Sequence, residues 1–197
     1  MSSYSRIKLE EYLKTIEVQG NVLDIGGSQN PIKGRVKSWE VEDYKILDLK
    51  NPHHGDKPDL IHDIQVVNNL LTRKLDQFCE VFDIVFCIEV SEYWIDPVKA
   101  LKNINFFLKR GGILYISFHF LYPIHPPHGE DCLRYTRWGI MKLMKATGFE
   151  IEEIITREFK NKMVGVSLFN QEGMRGENKN RDPMHFDQGY IIKAIKL

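Results

Sequence analysis

The chain is poor in cysteine, carries no net charge and has no long apolar run. Its three cysteines, Cys79, Cys87 and Cys132, are odd in number and form no CxxC pair, so the sequence predicts neither a disulfide framework nor a zinc knuckle. The 27 basic residues are balanced by 27 acidic residues. Because no Lys/Arg run stands out, the electrostatic signature of a duplex-binding protein is missing, and we expect no nucleic-acid partner.

Segments that would direct the chain to a membrane are also lacking. The first residues, MSSYSRIKLEEYL, contain no uninterrupted apolar stretch like that of a signal peptide. No segment approaches the roughly 20 apolar residues that cross a bilayer. We therefore predict no membrane span and a cytoplasmic location. At 197 residues, with 43% apolar and 27% charged residues, the chain is expected to form one domain over residues 1–197.

The sequence does contain an alternation of short apolar strands and amphipathic helices. A leading helix is predicted within residues 1–20, and the polar stretch 161–188 is interpreted as an ordered loop or a flap. Strands are predicted at residues 21–25, 44–49, 59–64, 82–90, 113–118, 149–159 and 190–196, and further helices at 66–78, 97–109 and 136–147. This alternation predicts an α/β fold with a doubly wound, mostly parallel sheet.

Three of the predicted strands finish in an acidic residue. Asp24, Asp48 and Asp63 lie at or near the ends of the first three strands. Ligands of doubly wound sheets bind at the carboxyl ends of the strands. The three carboxylates are therefore candidates for one binding site, although a strand that ends in Asp is also common in simple capped turns.

The first strand is followed by a glycine turn with the sequence LDIGGSQNP. Gly26 and Gly27 let the backbone approach a ligand closely. The turn lacks the full G-x-G-x-x-G pattern of dinucleotide sites and the G-K-[ST] of a P-loop. A ligand without phosphates, with an amino-acid end and a nucleoside end, suits it better, and S-adenosylmethionine is such a ligand. Asp48, about 20 residues on, can accept both ribose hydroxyls, and Asp63 the adenine amino group.

These segments resemble those of the class I S-adenosylmethionine-dependent methyltransferases. The matching segments are VLDIGG at 22–27, ILDL at 46–49, DLIHDI at 59–64, FDIVFCIEVSEYWIDP at 82–97, LKRGGILYIS at 108–117 and TRWGIMKLMKATGFEI at 136–151. The resemblance implies a Rossmann-like, seven-stranded sheet whose last strand is antiparallel, with helices on both faces.

The resemblance also implies a role for each matching position. The first motif would wrap the methionine part of S-adenosylmethionine, the second acid would bind ribose, the third would contact adenine, and the segment after the fourth strand would line the transfer site. The residues concerned are Asp24, Gly26, Gly27 and Ser28; Asp48; Asp63 with Ile64; and Cys87, Ile88 and Glu89. Ser28 stands where the family commonly has glycine, and Tyr93 stands where similar members often have histidine, so the role of that histidine is not carried over.

A loop rich in histidine and proline follows the fifth strand. The sulfonium of the cofactor is already electrophilic, so catalysis needs in-line positioning and, for a hydroxyl acceptor, removal of a proton. His125 or His128 is a candidate general base, Asp131 can orient it, and Arg134 can hold an anionic group. The alternative is a rigid surface loop with solvated histidines. No metal site is predicted, because H-x-x-H in such a loop is not specific.

The sequence therefore predicts an S-adenosylmethionine-dependent O- or N-methyltransferase that acts on a small molecule. The HPPHGED loop and the GIMKLMKATGFEI segment resemble members found in bacterial surface-glycan pathways, so a sugar hydroxyl is the preferred acceptor. Two alternatives stay open. A nicotinamide-dependent oxidoreductase is disfavoured by the missing third glycine. The other alternative is a non-catalytic S-adenosylmethionine-binding module: the intact acids speak against decay of the cofactor site but say nothing about the acceptor site. The sequence leaves the oligomeric state open.

Overall fold

The computed structural model describes residues 3–50, 57–66, 73–126, 129–159 and 187–197. Residues 67–72 of the predicted helix and residues 161–186 of the predicted polar loop lie outside these ranges. The described helices are α1 (Tyr4–Leu13), α2 (Pro97–Phe107) and α3 (Arg137–Ala146), with 3₁₀ turns at Arg73–Phe78 and Ser91–Tyr93. The described strands are β1 (Glu17–Ile25), β2 (Ser38–Asp48), β3 (Leu60–Ile61), β4 (Phe82–Cys87), β5 (Leu108–His119), β6 (Phe149–Glu158) and β7 (Asp187–Lys196).

The strands form one seven-stranded sheet in the order β3-β2-β1-β4-β5-β7-β6. Strands β1 to β5 pair in parallel, whereas β7 runs antiparallel to both of its neighbours. The predicted Rossmann-like, mostly parallel sheet with an antiparallel last strand is confirmed. Strand order reverses between β1 and β4, whose ends meet where Ile25 pairs with Cys87. Such a reversal is where open α/β sheets bind ligands.

Helices cover both faces of the sheet because the buried strands are apolar on both sides. In β1, Val22 packs in one core cluster with Leu9 of α1. The next residue, Leu23, packs in a second cluster with Leu101 of α2 and Met144 of α3. Since neighbouring residues of a strand point to opposite faces, α1 lies on one face and α2 and α3 on the other.

Two helix starts agree with the sequence. Asp96 caps α2, and its side chain accepts a hydrogen bond from the backbone N–H of Lys99 at 2.9 Å. Thr136 caps α3 in the same way through the N–H of Gly139 at 3.1 Å. Both contacts satisfy a backbone donor of the first helical turn, which has no partner within the helix.

The predicted end of α2 at Lys109 and Gly111–Gly112 is wrong. The helix ends at Phe107, and Leu108 is already extended and pairs with Phe82 of β4. The β4–β5 pairing then shifts its register before resuming at Ile113, and Gly111 has a φ of +74° within this irregular stretch. The glycines therefore serve a bulge at the start of β5, as glycine within a strand often does.

The leading helix is also shorter than the predicted segment from Ser5 to Val18. It ends at Leu13, and β1 begins at Glu17. Ile16 and Val18 are 5% and 1% exposed and belong to the same core cluster as α1. Their burial therefore comes from the sheet and not from a longer helix. No helix among the described residues has the length and apolarity to span a membrane.

Candidate active site

The turn after β1 requires glycine at two successive positions. Gly26 has a φ of +76°, and its N–H donates to the carbonyl of Leu47 at 2.8 Å. A Cβ at Gly26 would overlap the side chain of Val90. A Cβ at Gly27 would overlap the carboxylate of Asp24. The missing side chains thus let the turn fold tightly between the ends of β2 and β4.

Asp24 lies beneath this turn and is 3% exposed. One carboxylate oxygen accepts hydrogen bonds from the backbone N–H of Ile32 and from the hydroxyl of Tyr44, both at 2.7 Å. Burial raises the pKa of Asp24 to about 6, against the opposing effect of these two hydrogen bonds. Asp24 does not line the cleft described below. Its contacts hold the turn in place, and a direct contact with a cofactor stays a prediction.

A cleft of about 740 Å³ opens at the carboxyl ends of the central strands. Its volume falls within the range of about 300–1,000 Å³ that is usual for small-molecule sites. Asp48 and Asp63 both line it. Asp48 accepts hydrogen bonds from the N–H of Ser28 at 3.2 Å and of Leu49 at 2.8 Å. Asp63 accepts one from the N–H of Gln65 at 2.9 Å, so backbone donors orient both carboxylates.

The predicted cofactor residues divide into two groups. Those that line the cleft are Gly26, Asp48, Asp63, Ile64, Ile88 and Glu89. The other group does not line it and is buried around it: Asp24, Gly27, Ser28 and Cys87. Members of the second group act on the cleft through their neighbours, as the N–H of Ser28 does through Asp48. The burial of Cys87 raises the pKa of its thiol, as expected for a small core residue.

Glu89 presents a fixed carboxylate in the cleft. It follows β4 with a φ of +60°, and its backbone N–H donates to Ser117 Oγ at 2.7 Å. Arg157, which is fully buried, donates to Glu89 Oε1 at 2.5 Å and to the carbonyl of Ser5 at 3.2 Å. Burial by itself would raise the pKa of Glu89, but His119 and Arg157 hold it well below its usual value. Glu89 is therefore an anion at neutral pH.

His119 lies between two carboxylates under the cleft. Its Nε2 is 3.3 Å from Glu89 Oε2 and 3.2 Å from Glu92 Oε1, and its side chain is 1% exposed. Burial lowers the pKa of this imidazole, but Glu89 and Glu92 outweigh it and raise the pKa to about 9. His119 is thus an imidazolium at neutral pH and is not suited to act as a base there.

Two arginines that were not predicted from the sequence line the cleft. Arg35 pairs with Glu10 at 2.7 Å and donates to the carbonyl of Asn30 at 2.8 Å. Arg6 of α1 pairs with the same Glu10 at 3.0 Å and lies 4.0 Å from Glu89. No motif marks either arginine in the sequence. Arg6 comes from α1 and Arg35 from the segment between β1 and β2, and both pair with Glu10 of α1.

Trp94 also lines the cleft and was not assigned to the cofactor site from the sequence. The ring is 1% exposed, and its indole Nε1 has no hydrogen-bond partner among the described residues. Buried indole N–H groups usually have a partner. A ligand atom in the cleft is a natural acceptor for this donor.

The loop after β5 brings His125 to the same cleft. The backbone N–H of His125 donates to Asp131 Oδ2 at 2.6 Å, and the guanidinium of Arg134 pairs with both oxygens of Asp131. Arg134 also donates to the carbonyls of Tyr122 and Pro123 at 3.3 and 3.1 Å. Asp131 thus fixes the loop backbone, and no hydrogen bond between the described residues joins it to the His125 ring. Arg134 is paired within the loop, and its binding of an anionic group stays a prediction.

His128, the other candidate base, lies outside the described residues. His125 lies in the described part of the loop. It is next to Tyr93 of the 3₁₀ turn Ser91–Tyr93, whose hydroxyl is 2.5 Å from His125 Nδ1. Both side chains line the cleft together with Glu130. A candidate base and the predicted cofactor residues therefore share one cavity.

The residues of the cleft fit S-adenosylmethionine. Gly26 forms part of the cleft wall without a side chain, and Asp48 and Asp63 present carboxylate acceptors of the kind that suit ribose hydroxyls and an adenine amino group. Arg6 and Glu89 offer one charge of each sign for an amino-acid end. This donor and acceptor set suits a nucleoside that carries an amino acid.

Comparisons with known proteins agree with this assignment. Residues 49–116 match a family described as a methyltransferase domain. A Mesorhizobium loti S-adenosylmethionine-dependent methyltransferase is similar in structure, with a TM-score of 0.61 and 14% identity over 98% of each chain. A Clostridium acetobutylicum S-adenosylmethionine-dependent methyltransferase gives a TM-score of 0.57 and 15% identity over 98% of this chain and 90% of its own.

The [4+2]-cyclase SpnF is similar to the same degree, with a TM-score of 0.55 and 14% identity over 98% of this chain and 81% of its own. No curated protein matches the chain significantly. The matched domain supports methyltransferase activity. The architecture of the chain is the Rossmann-like methyltransferase fold.

Proposed function

We propose that the protein is an S-adenosylmethionine-dependent methyltransferase whose acceptor is a hydroxyl of a small molecule, with a sugar of glycan biosynthesis as the preferred class. The observation that carries the proposal is that Asp48 and Asp63, at the ends of adjacent strands, open into the same cleft as the Gly26 turn and His125. The segment that matches a methyltransferase domain, residues 49–116, contains Asp63 and begins directly after Asp48.

Five charged groups of the cleft have a partner on the cofactor in this proposal. Asp48 accepts the ribose hydroxyls and Asp63 the adenine amino group. Arg6 and Arg35 bind the carboxylate of the methionine part, and Glu89 faces its ammonium group. Charge-assisted hydrogen bonds of this kind each contribute about 1.5–3 kcal/mol. The turn at Gly26 forms part of the cleft wall without a side chain.

When bound, S-adenosylmethionine supplies an electrophilic methyl group on its sulfonium. The protein then has to hold the acceptor oxygen in line and take its proton. His125 is placed for the second task because the Asp131–Arg134 pair holds its backbone at the mouth of the cleft. A hydroxyl acceptor is preferred to an amine because a hydroxyl needs such a base at neutral pH.

The proposal is tested by isothermal titration calorimetry with S-adenosylhomocysteine. Asp48→Asn should weaken its binding by about tenfold to one hundredfold, which corresponds to about 1–3 kcal/mol. Asp43→Asn is the matched control, because Asp43 lies in the same strand but does not line the cleft. It should bind as the wild type does. Binding of NAD with no binding of S-adenosylhomocysteine would instead favour an oxidoreductase.

Activity is tested separately with radiolabelled S-adenosylmethionine and a panel of free sugars, nucleotide sugars, phenols and amines. We expect label in hydroxyl acceptors and none in amines. Label in amines alone would contradict the hydroxyl assignment. Full affinity for S-adenosylhomocysteine with no label in any acceptor would favour a non-catalytic binding module.

A further inference from the structure

Three polar atoms form a small triangle at the mouth of the cleft. Tyr93 Oη lies 2.5 Å from His125 Nδ1 and 3.0 Å from the carbonyl oxygen of Pro126. His125 Nδ1 is in turn 3.1 Å from the same carbonyl oxygen. Among the described residues, His125 Nε2 makes no hydrogen bond. The hydrogen bonds of the ring to the described residues therefore all involve Nδ1, and His125 is one of the residues that line the cleft.

Only one arrangement of protons satisfies all three contacts. A carbonyl oxygen accepts and never donates. If the Tyr93 hydroxyl donates to Pro126 and His125 Nδ1–H is shared between Tyr93 Oη and the same carbonyl oxygen, two protons serve all three contacts. If Nδ1 is instead the unprotonated nitrogen, its lone pair faces the Pro126 carbonyl at 3.1 Å and that carbonyl loses a donor. The second arrangement is repulsive.

From this geometry we infer that Tyr93 is a positioning residue that sets the tautomer of His125, with the proton on Nδ1 and the lone pair on Nε2. The inference rests on the proposed function, in which His125 accepts the hydroxyl proton of the acceptor. It narrows the base to one atom, Nε2. As the new bond from the acceptor oxygen to the methyl carbon forms, the carbon–sulfur bond breaks with its electron pair kept by sulfur, and the hydroxyl proton moves to Nε2.

Tyr93 suits this task because it stays a neutral phenol. Burial and the nearby carboxylates of Glu92, Asp131 and Glu89 all raise the pKa of Tyr93. Its O–H is therefore available as a donor at every pH at which an imidazole can act as a base. The sequence alone did not show this pairing, because Tyr93 and His125 are 32 residues apart.

Hydrogen bonds of the surrounding backbone hold His125 and Tyr93 in place. The N–H of His125 is bound by Asp131, which is held in turn by Arg134. Tyr93 lies on the 3₁₀ turn Ser91–Tyr93, where Trp94 N–H bonds the carbonyl of Ser91 at 3.3 Å. The ring of His125 thus has a fixed backbone on one side and a fixed phenol on the other, which is the arrangement that selects a tautomer.

The experiment measures the tautomer directly by NMR on protein with ¹⁵N-labelled histidine, at a pH where imidazoles are neutral. Long-range ¹H–¹⁵N correlations distinguish a protonated ring nitrogen from an unprotonated one, and the signal that disappears in His125→Gln identifies the residue. We expect wild-type His125 to carry its proton on Nδ1. In Tyr93→Phe the ring should shift toward the Nε2–H form, which an unrestrained histidine side chain prefers.

Tyr122→Phe is the matched control, because Tyr122 lies in the same loop and its ring stacks on His119 instead. It should leave the His125 signals unchanged. A wild-type protein with the proton on Nε2, or a Tyr93→Phe protein with unchanged signals, would overturn the inference. The wild-type spectrum decides this even if the variant fails to fold. If the wild-type protein does not bind S-adenosylhomocysteine, the proposed function is overturned instead. Failure of the tautomer inference and failure of the proposed function are therefore distinguishable.

Discussion

The buried imidazolium of His119 predicts how the stability of the protein depends on pH. The imidazole lies between Glu89 and Glu92, and its pKa is raised from an ordinary 6.5 to about 9. The folded state therefore holds a proton that the unfolded state releases at lower pH. This contribution to stability is complete below pH 6.5 and is lost as the pH rises through about 9.

The size of the effect can be worked out from the two pKa values. Each tenfold change in proton affinity corresponds to 1.36 kcal/mol. The difference between 6.5 and about 9 then corresponds to about 3 kcal/mol of unfolding free energy. The side chain is 1% exposed, so solvent screening takes little from this value.

The assay is urea unfolding, followed by circular dichroism, at pH 6.5 and at pH 9.5. Wild-type protein should lose about 3 kcal/mol more than His119→Gln over this interval. The comparison removes the contributions of titrating groups remote from His119, because these are the same in both proteins. Equal losses in the two proteins would refute the assignment of a charged His119 between the two carboxylates.

Three further predictions concern the turn, the loop and the buried acid. Gly26→Ala should destabilise the fold and abolish S-adenosylhomocysteine binding, whereas Gly34→Ala, also at positive φ but in open space, should cost only about 1 kcal/mol of backbone strain in a thermal melt and leave binding intact. Arg134→Ala should free the loop and slow methyl transfer at least tenfold, with unchanged affinity for S-adenosylhomocysteine by calorimetry. Tyr44→Phe removes a hydrogen bond to Asp24 and should raise the pKa of Asp24 above about 6. NMR titration of the Asp24 side-chain carboxyl carbon measures this. Equal behaviour of the two glycine variants would contradict the role of the Gly26 turn. Weaker cofactor binding in Arg134→Ala would contradict the role given to the loop. An unchanged Asp24 titration would contradict the hydrogen bond from Tyr44.

Local sequence signals predicted the elements that are defined by local chemistry. The run from Phe82 to Cys87 is almost wholly apolar, as a central parallel strand must be. Asp96 and Pro97 mark the start of α2 because a cap and a proline both favour a first helical turn. The acids at 48 and 63 were found because the ends of parallel strands meet at one edge of a sheet.

The same local signals were not sufficient where long-range contacts determine the structure. Gly111 follows a helix and is typical of a helix end, yet pairing with β4 makes it part of a strand bulge. Arg157 is 68 residues from Glu89, and no spacing rule connects them. Asp24 matches a binding motif, but the sequence does not show that its side chain is buried under the turn and bonded to Ile32. These outcomes depend on tertiary packing, which a single sequence does not display.

The central claim is that the cleft over β1, β2 and β4 holds S-adenosylmethionine. The most direct test is a crystal structure of the protein with S-adenosylhomocysteine. We predict the ribose hydroxyls within hydrogen-bond distance of Asp48, the adenine beside Asp63 and Ile64, and the sulfur on the side of His125. A ligand bound away from Asp48 and Asp63 would contradict the account.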